Sequence, residues 1–337
     1  MTHAQSHPGR ACLVQFFLGL VLLAGPGVLH PAGARALAPA FATANLSPVV
    51  QPFGLPRITW DPGPEARLTL DWASHHAGEV NGAHRVFFDG ETRRYDLLVT
   101  GTLFRSGARW RLDLPYVEHG GGRLDGLIER WHRFFGLPDG GRPDNPRDRL
   151  LLRVRDDDGT DSLHLDHPRS GPGDAAGAVT LPLGGADGKA LAGLRLEAPT
   201  GNPDHLLGSG GWDTAVWLAG SGREPAALGP ARWHLAAGAL YMSDSEILPE
   251  RHRRWAAFGR AAGGWAPLSR LTLRAQIDGH TGLYRSPLTQ LGEPALELRI
   301  GGTIRLWRGY RLDLGVSEDI AVETAPDITF HVGIIGG

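Results

Sequence analysis

Apolar and polar residues alternate along short segments through most of the chain. In residues 67–72, the even positions carry Leu, Leu and Trp, and the odd positions carry Arg, Thr and Asp. A period of two is that of a β-strand with one apolar face. The same alternation recurs in residues 109–116, 192–198, 271–277, 296–300, 311–316 and 327–334. The pattern predicts an all-β chain.

The connections between these segments alternate in length. A Pro-rich lead, Ala38–Pro64, precedes the first segment, and short turns such as Arg308–Gly309 then alternate with longer connections such as Ser74–Thr92 and Asp278–Gly292. Short turns at one end and long loops at the other are typical of outer-membrane barrels. We therefore expect a single antiparallel up-and-down transmembrane β-barrel of about 14 strands, within a range of about 12 to 16.

The polar face separates a membrane barrel from a soluble β-sandwich lectin or adhesin, which is the alternative all-β solution. Arg shares this face with Asp or Glu on the same strand, and Lys189 is the only lysine of the chain. Arg binds a carboxylate with two parallel hydrogen bonds, which suits a narrow polar lumen. Aromatic residues near the predicted strand ends also favour a barrel. They are Trp72, Trp110, Trp212, Trp233, Trp255, Trp307, Tyr95, Tyr116, Tyr241 and Tyr310.

Strand parity alone assigns a set of charged side chains to the lumen. A one-residue bulge would turn any of them outward. If they pair across the lumen, the barrel is narrow or blocked to large solutes. The predicted lumen-facing charges are Arg67, Asp71, Arg111, Asp113, Arg195, Glu197, Arg274, Glu297, Arg299, Arg311 and Asp313.

One long connection, residues 119–148, breaks the period of two. Its apolar residues recur at helical spacing before Gly136 and Pro138, which predicts one short amphipathic helix. Such a helix lies in the membrane interface or barrel rim, or folds into the barrel mouth as a plug. The apolar positions are Leu124, Leu127, Ile128, Trp131 and Phe135.

The N-terminus carries the longest apolar run, Leu13–Ala24. This run is too short for a transmembrane helix, which needs about 20 residues, but it suits a secretory signal peptide. Ala34-Arg35-Ala36 offers a cleavage site, with Ala38 as the alternative, so we expect a signal peptide over residues 1–36 and the barrel over residues 37–337. A membrane anchor is the alternative. Cys12 is the only cysteine, and cleavage would remove it.

Composition and motifs argue against several functions. The 34 basic and 36 acidic residues are dispersed, which argues against a basic surface that binds nucleic acid. Residues 119–122 read His-Gly-Gly-Gly, an oxyanion-hole string, but the chain has no Gly-x-Ser-x-Gly elbow, so these glycines more simply bend the chain. Residues 156–161 lack EF-hand spacing and fit a tight turn. We expect neither a metal nor a cofactor, and no enzymatic activity.

Several blocks resemble a family of Gram-negative outer-membrane proteins known as domain of unknown function 3187. The resemblance implies an outer-membrane barrel that contacts lipid and is inserted by the barrel-assembly machinery, and it implies no activity. The blocks are Phe88–Thr92, Pro115–Gly122, Leu124–Asp125, Ile128–Glu129, Trp131–His132, Phe135–Pro138, Arg142, Pro199–Asn202, Gly208–Gly210, Asp213, Ser317–Ile320 and Ala325–Asp327.

We therefore expect a channel, a transporter or a structural protein of the outer membrane, with an unknown solute. The rival hypothesis is an outer-membrane hydrolase or acyltransferase. That activity would need His119, His132 or a neighbour to lie beside a carboxylate and a hydroxyl at one rim.

Overall fold

Fifteen β-strands dominate the computed structural model, which describes residues 40–59, 64–103, 107–124, 126, 146, 148–184, 189–223, 230–320 and 324–336. The helical elements with described bounds are a 3-10 turn, Pro203–His205, and a short turn of α-helix, Thr289–Gly292. Among the described residues, no helix is long and apolar enough to cross a bilayer. The strands are β1 (Glu65–Asn81), β2 (His84–Leu103), β3 (Ala108–Gly120), β4 (Leu151–Arg155), β5 (Asp161–Leu165), β6 (Arg169–Pro172), β7 (Ala176–Leu183), β8 (Ala190–Glu197), β9 (Asp213–Arg223), β10 (Ala231–Met242), β11 (Trp255–Leu268), β12 (Leu271–His280), β13 (Ala295–Arg305), β14 (Arg311–Asp319) and β15 (Ile328–Gly336).

Twelve of these strands close into one antiparallel barrel. Strand β1 pairs with β2 on one side and with β15 on the other, with Ala66 opposite Gly336 and Ser74 opposite Ile328. The ring continues through β3 and then β7 to β14, each paired with its neighbour. The predicted all-β antiparallel barrel is therefore confirmed, and the two-sheet sandwich is wrong, because a closed ring has no second sheet.

The expected count of about 14 barrel strands differs from the ring of twelve, because three short strands lie outside it. Strand β4 pairs with residues 85–89 of β2, and β5 pairs with β4. Strand β6 pairs with residues 116–119 of β3, and β7 pairs with residues 109–113 along the same edge of β3. These strands have four or five residues each, whereas a spanning strand needs about 9–11.

The barrel has two different ends. At the terminal rim, where β1 begins and β15 ends, connections are short, as between Leu268 and Leu271. At the distal rim they are long, for example residues 198–212, 243–254 and 281–294. Strands β1 and β2 run past this rim as a hairpin that turns at Gly82, which has a φ of 63°. The segment Ser74–Thr92 is therefore a strand hairpin and not the long loop we expected.

The outer surface of the barrel is apolar. Leu68, Leu218 and Leu235 expose 56%, 63% and 53% of their surface. Exposed aromatic residues flank this belt near both ends of the strands. On β3, Trp110 and Tyr116 lie roughly 20 Å apart at a rise of about 3.4 Å per residue, close to the ~25 Å apolar band of outer-membrane barrels. The outer surface therefore has the width and the aromatic borders of a membrane-facing belt.

A stretch without regular secondary structure fills the barrel. Residues 40–58 are all buried except the half-buried Ala44. We call residues 40–59 the lumenal segment. It rises from Ala40 beside β12, turns at Ser47–Gln51 near the distal rim and returns to Thr59 at the terminal rim. The part of the Pro-rich lead that the structure describes up to Thr59 therefore lies in the interior.

The distal connections fold over the turn of the lumenal segment and form an apolar core, which we call the distal cap. Val49, Val50 and Phe53 of the segment pack in this core. The remaining buried members are Leu55, Val86, Phe88, Leu150, Leu152, Val154, Leu163, Leu165, Leu206, Ala215, Leu240, Met242, Ile247, Leu248, Ala256, Leu283, Tyr284, Leu288 and Leu291. The turn of the segment is therefore held by apolar packing from the distal loops.

Two sequence predictions fall largely on residues that the structure does not describe. The signal peptide, residues 1–36, lies outside the described residues, and so does most of the predicted helix, since residues 125 and 127–145 are not described. Both stay predictions.

Candidate functional site

The inner face of the barrel carries the charges that strand parity assigned to the lumen. Nine of the eleven side chains are buried at 5% exposure or less. They are Arg67, Asp71, Asp113, Arg195, Glu197, Arg274, Glu297, Arg299 and Asp313. The side chains of Arg111 and Arg311 lie on the same face and are each 14% exposed. The structure therefore places all eleven on the side of the wall opposite the apolar belt.

Many of these charges pair along a single strand. Residues two apart share a face of a strand, so an Arg and an acid at that spacing meet directly. Arg195 donates to Glu197 at 2.6 Å, and Arg67 donates to Glu65 at 2.8 Å. The same-strand pairs of the wall are Glu65–Arg67, Arg94–Asp96, Arg111–Asp113, Arg195–Glu197 and Glu297–Arg299.

Other charges connect different strands. Asp313 on β14 lies 3.2 Å from the guanidinium of Arg274 on β12 and 3.8 Å from that of Arg67 on β1. His331 on β15 lies 2.7 Å from Asp71 on β1. These contacts neutralise charge within the wall, as a lumen with little water requires.

Arg260 on β11 holds both arms of the lumenal segment. Its guanidinium donates to the carbonyl of Phe41 at 3.1 Å and to that of Thr43 at 2.8 Å, both on the rising arm. It also donates to the carbonyl of Ile58 on the returning arm. The Arg260 Nε pairs with Asp278 on β12. One wall side chain thus replaces backbone partners that the segment lacks.

Three further contacts bind the turn and the returning arm of the segment to the wall. Arg94 on β2 donates to the Gln51 carbonyl at 3.2 Å and to its side-chain oxygen at 3.0 Å. The backbone N–H of Gly54 donates to Asp213 on β9 at 2.9 Å. Arg57 pairs with Asp96 on β2. Polar wall groups therefore bind the segment along its length.

The distal end of the segment is bound by loop residues. The Tyr284 hydroxyl donates to the Val49 carbonyl at 2.7 Å. Burial raises the pKa of Tyr284 well above its ordinary value, so the phenol stays a donor. The Asn45 amide lies 3.0 Å from the His280 ring and donates to the Thr324 carbonyl at 3.1 Å. The turn is therefore fixed by hydrogen bonds as well as by apolar packing.

The comparison with known families agrees with this architecture. The sequence matches the family described as "Protein of unknown function (DUF3187)" over residues 25–336, nearly the whole chain. The chain belongs to this family. None of the curated proteins matches the DUF3187 chain.

Solved structures similar to the DUF3187 chain are outer-membrane proteins. The COG4313 outer membrane channel from Pseudomonas putida F1 is 14% identical, with a TM-score of 0.50 over 85% of this chain and 97% of that one. The NanC porin is 7% identical, with a TM-score of 0.42 over 80% and 98%. The toluene transporter TodX of Pseudomonas putida is 12% identical, with a TM-score of 0.36 over 91% and 97%. The TM-scores of the NanC porin and of TodX are below 0.5, whereas the likeness to the COG4313 channel shows a shared fold.

Sequence reasoning missed several wall and segment charges of the DUF3187 chain. Arg94 and Asp96 have the same spacing as the predicted pairs, so parity could have found them. Arg260 lies in a strand rich in Ala and Gly, where alternation is weak because small residues occupy both faces. Arg57 lies in the Pro-rich lead, which has no strand period. Its place in the lumen follows from tertiary contacts alone.

The His-Gly-Gly-Gly string forms the end of β3 and the bend after it. His119 Nδ1 lies 3.0 Å from the Thr92 hydroxyl, and its Nε2 lies 3.1 Å from the Leu206 carbonyl. Both ring nitrogens are therefore engaged in structural hydrogen bonds. A Cβ on Gly121 would lie 2.0 Å from the Asp148 carbonyl oxygen, so only glycine fits this bend. His132, the other candidate, lies outside the described residues.

The acidic stretch 156–161 is the turn between β4 and β5. The Asp156 N–H donates to the Thr160 carbonyl at 2.8 Å, and Gly159 has a φ of 84°. This is the tight turn that the sequence favoured over a calcium loop. In the described part of the chain, no group of three or more His, Cys, Asp or Glu side chains could hold a metal ion.

Proposed function

We propose that this protein is an outer-membrane channel that the lumenal segment closes. In this proposal the apolar belt contacts lipid, the terminal rim faces the periplasm and the distal cap faces outward. The solute passes along the charged inner wall when the segment leaves or shifts. The orientation follows from the rule that outer-membrane barrels place short turns in the periplasm and long loops outside.

The proposal rests on the kind of structure that fills the barrel, which is a peptide segment. Small barrels of about eight strands fill their interior with wall side chains, whereas this ring of twelve strands leaves room for a peptide. The filling peptide lacks regular structure and precedes β1 in the chain. Wall arginines hold its carbonyls, and water can replace such hydrogen bonds. The segment is thus suited to reversible release.

Conductance across a planar lipid bilayer tests the proposal. A variant lacking residues 40–59 should conduct ions through long-lived openings, whereas the intact protein should stay mostly closed. Heat-modifiable gel mobility of both proteins controls for barrel formation. A deletion variant that keeps the mobility shift of a folded barrel but never conducts would contradict a channel and favour a structural role.

We propose that the chain is exported by a signal peptide cleaved after Ala36 and is inserted by the barrel-assembly machinery. Cleavage there would leave a new N-terminus three residues before Ala40 in the sequence. N-terminal sequencing of the protein from the outer-membrane fraction tests the cleavage. A retained apolar run would instead support the membrane-anchor alternative.

A further inference from the structure

A second feature of the lumen is a cavity at the terminal rim. It has a volume of about 240 Å³ and lies between the returning arm of the lumenal segment and strands β2, β3, β7, β8 and β9. Its charged lining includes Arg57, Arg111 and Arg195, and its apolar lining includes Ile58, Leu191 and Trp217. The cavity therefore has a basic side and an apolar side.

Three side chains of this lining each carry a buried hydrogen-bond donor that lacks an acceptor within the part of the chain that the structure describes. These donors are Arg57 Nη2, Arg195 Nη1 and Trp217 Nε1. Other atoms of the two arginines are already used, since Arg57 Nη1 pairs with Asp96 and Arg195 Nη2 donates to Glu197 at 2.6 Å. Buried N–H groups are normally bonded, so unused donors on three side chains of one cavity lining favour a ligand that supplies acceptors.

The charges of the lining specify an anion. Four arginines line the cavity, and Asp113 is its one acidic residue. Asp113 is itself bound by Arg111, whose Nη2 donates to it at 2.9 Å. Since an ionised carboxylate offers only acceptors, its oxygens match the unused guanidinium and indole N–H groups.

The opposite side of the cavity is shaped for an apolar group. The Trp217 indole lies flat over Gly193, where an added Cβ would come within 2.0 Å of the ring. Ile58 and Leu191 belong to the same apolar cluster as Trp217. The cavity is smaller than the ~300–1,000 Å³ of sites for drug-sized ligands, so the ligand is small.

We propose that this cavity binds a small organic carboxylate. The carboxylate lies against Arg57, Arg195 and the Trp217 N–H, and the apolar body lies against Ile58 and Leu191. The inference rests on the proposed function, because it names the class of solute that this channel admits. Arg57 and Ile58 belong to the lumenal segment, so a bound anion contacts the wall and the segment together.

Isothermal titration of the folded, detergent-purified protein with benzoate tests the site. Benzoate should bind saturably, whereas benzamide, which lacks the charge, and inorganic phosphate, which lacks the apolar body, should bind at least about tenfold more weakly. Trp217→Phe keeps a single aromatic ring and removes the indole N–H, and should weaken benzoate binding about tenfold. The double variant Arg195→Gln with Glu197→Gln removes a charge pair together and should abolish binding.

The matched control is Arg93→Gln with Glu118→Gln, which removes an Arg–Glu pair that is not part of the cavity lining. It should bind benzoate like the unmodified protein. Equal benzoate binding by the Arg195/Glu197 double variant would overturn the site, and so would phosphate binding as tight as benzoate binding. Binding is measured without conductance, so benzoate binding by a barrel that never conducts would refute the channel and keep the site.

Discussion

Arg57 of the lumenal segment and Asp96 on the inner face of β2 form a buried ion pair, with side chains 2% and 0% exposed. Arg94 also approaches Asp96, at 3.2 Å. A buried charge that loses its partner is strongly destabilising, whereas removal of both charges costs much less. The pair therefore favours the seated segment only while both members are present.

The first prediction concerns this pair. Asp96→Asn should favour release of the segment by about 3 kcal/mol, roughly a hundredfold in the ratio of open to closed channel, because the seated Arg57 then keeps only the more distant Asp71, at 3.9 Å, as a countercharge. Open probability in a planar bilayer measures the shift. The double variant Arg57→Gln with Asp96→Asn should return towards the closed behaviour. If both variants opened equally, the ion pair would not control seating.

A second prediction concerns Arg260, which binds both arms of the segment. Arg260→Gln should weaken seating by about 3 kcal/mol, because hydrogen bonds from charged donors contribute about 1.5–3 kcal/mol each and glutamine cannot reach three carbonyls. Protease cleavage within residues 40–59 should accelerate in the folded barrel. The control is Arg254→Gln, which breaks an exposed pair with Asp244 and should leave cleavage unchanged. Unchanged cleavage in the Arg260 variant would show that the hydrogen bonds from Arg260 are not needed to hold the segment.

The distal cap gives a third prediction. Tyr284→Phe keeps the ring in the apolar core and removes the hydrogen bond to the Val49 carbonyl, so it should weaken seating by about 1 kcal/mol. Tyr284→Ala also removes the packing and should cost about 3 kcal/mol or more. Protease accessibility of the segment ranks the two variants. If both variants equalled the unmodified protein, the cap would have no part in holding the segment.

A fourth prediction tests the membrane face. Leu218→Arg, in the middle of β9, should reduce the stability of the inserted barrel by about 2–4 kcal/mol, because the charge would lie in the apolar band. Val80 is similarly exposed, at 64%, but lies on the distal hairpin beyond the belt, so Val80→Arg should have little effect. Urea unfolding in lipid vesicles compares them. Equal losses of stability at Leu218 and Val80 would show that the apolar belt does not lie where we place it.

The wall of the barrel was predictable because its chemistry follows the strand period. Arg195 and Glu197 are two residues apart, so both fall on one face whatever the rest of the chain does. Strand number was less predictable. Residues 156–160 do form a turn, as the sequence predicts. The two strands that this turn joins have five residues each and lie outside the barrel, where β4 pairs with the projecting part of β2.

The filling of the lumen could not be predicted from local pattern. Residues 40–59 have neither helical nor strand periodicity, and their carbonyls find partners on distant residues such as Arg94 and Arg260. The same holds for Trp217, which looks like another aromatic of a strand but turns inward over Gly193. Such contacts depend on the closed ring, which brings these residues together.

A disulfide across the lumen tests the central claim most directly. An ideal Cβ on Gly54 lies 2.8 Å from the Asp213 Cβ, so a shift of about 1 Å gives the mean separation of a disulfide. Single-channel recording of Gly54→Cys with Asp213→Cys should show a closed barrel when oxidised and openings after a reductant is added. The conductance of each single variant should not change when the reductant is added. Equal conductance of the oxidised and reduced double variant, with the disulfide verified by mass spectrometry, would contradict closure by the lumenal segment.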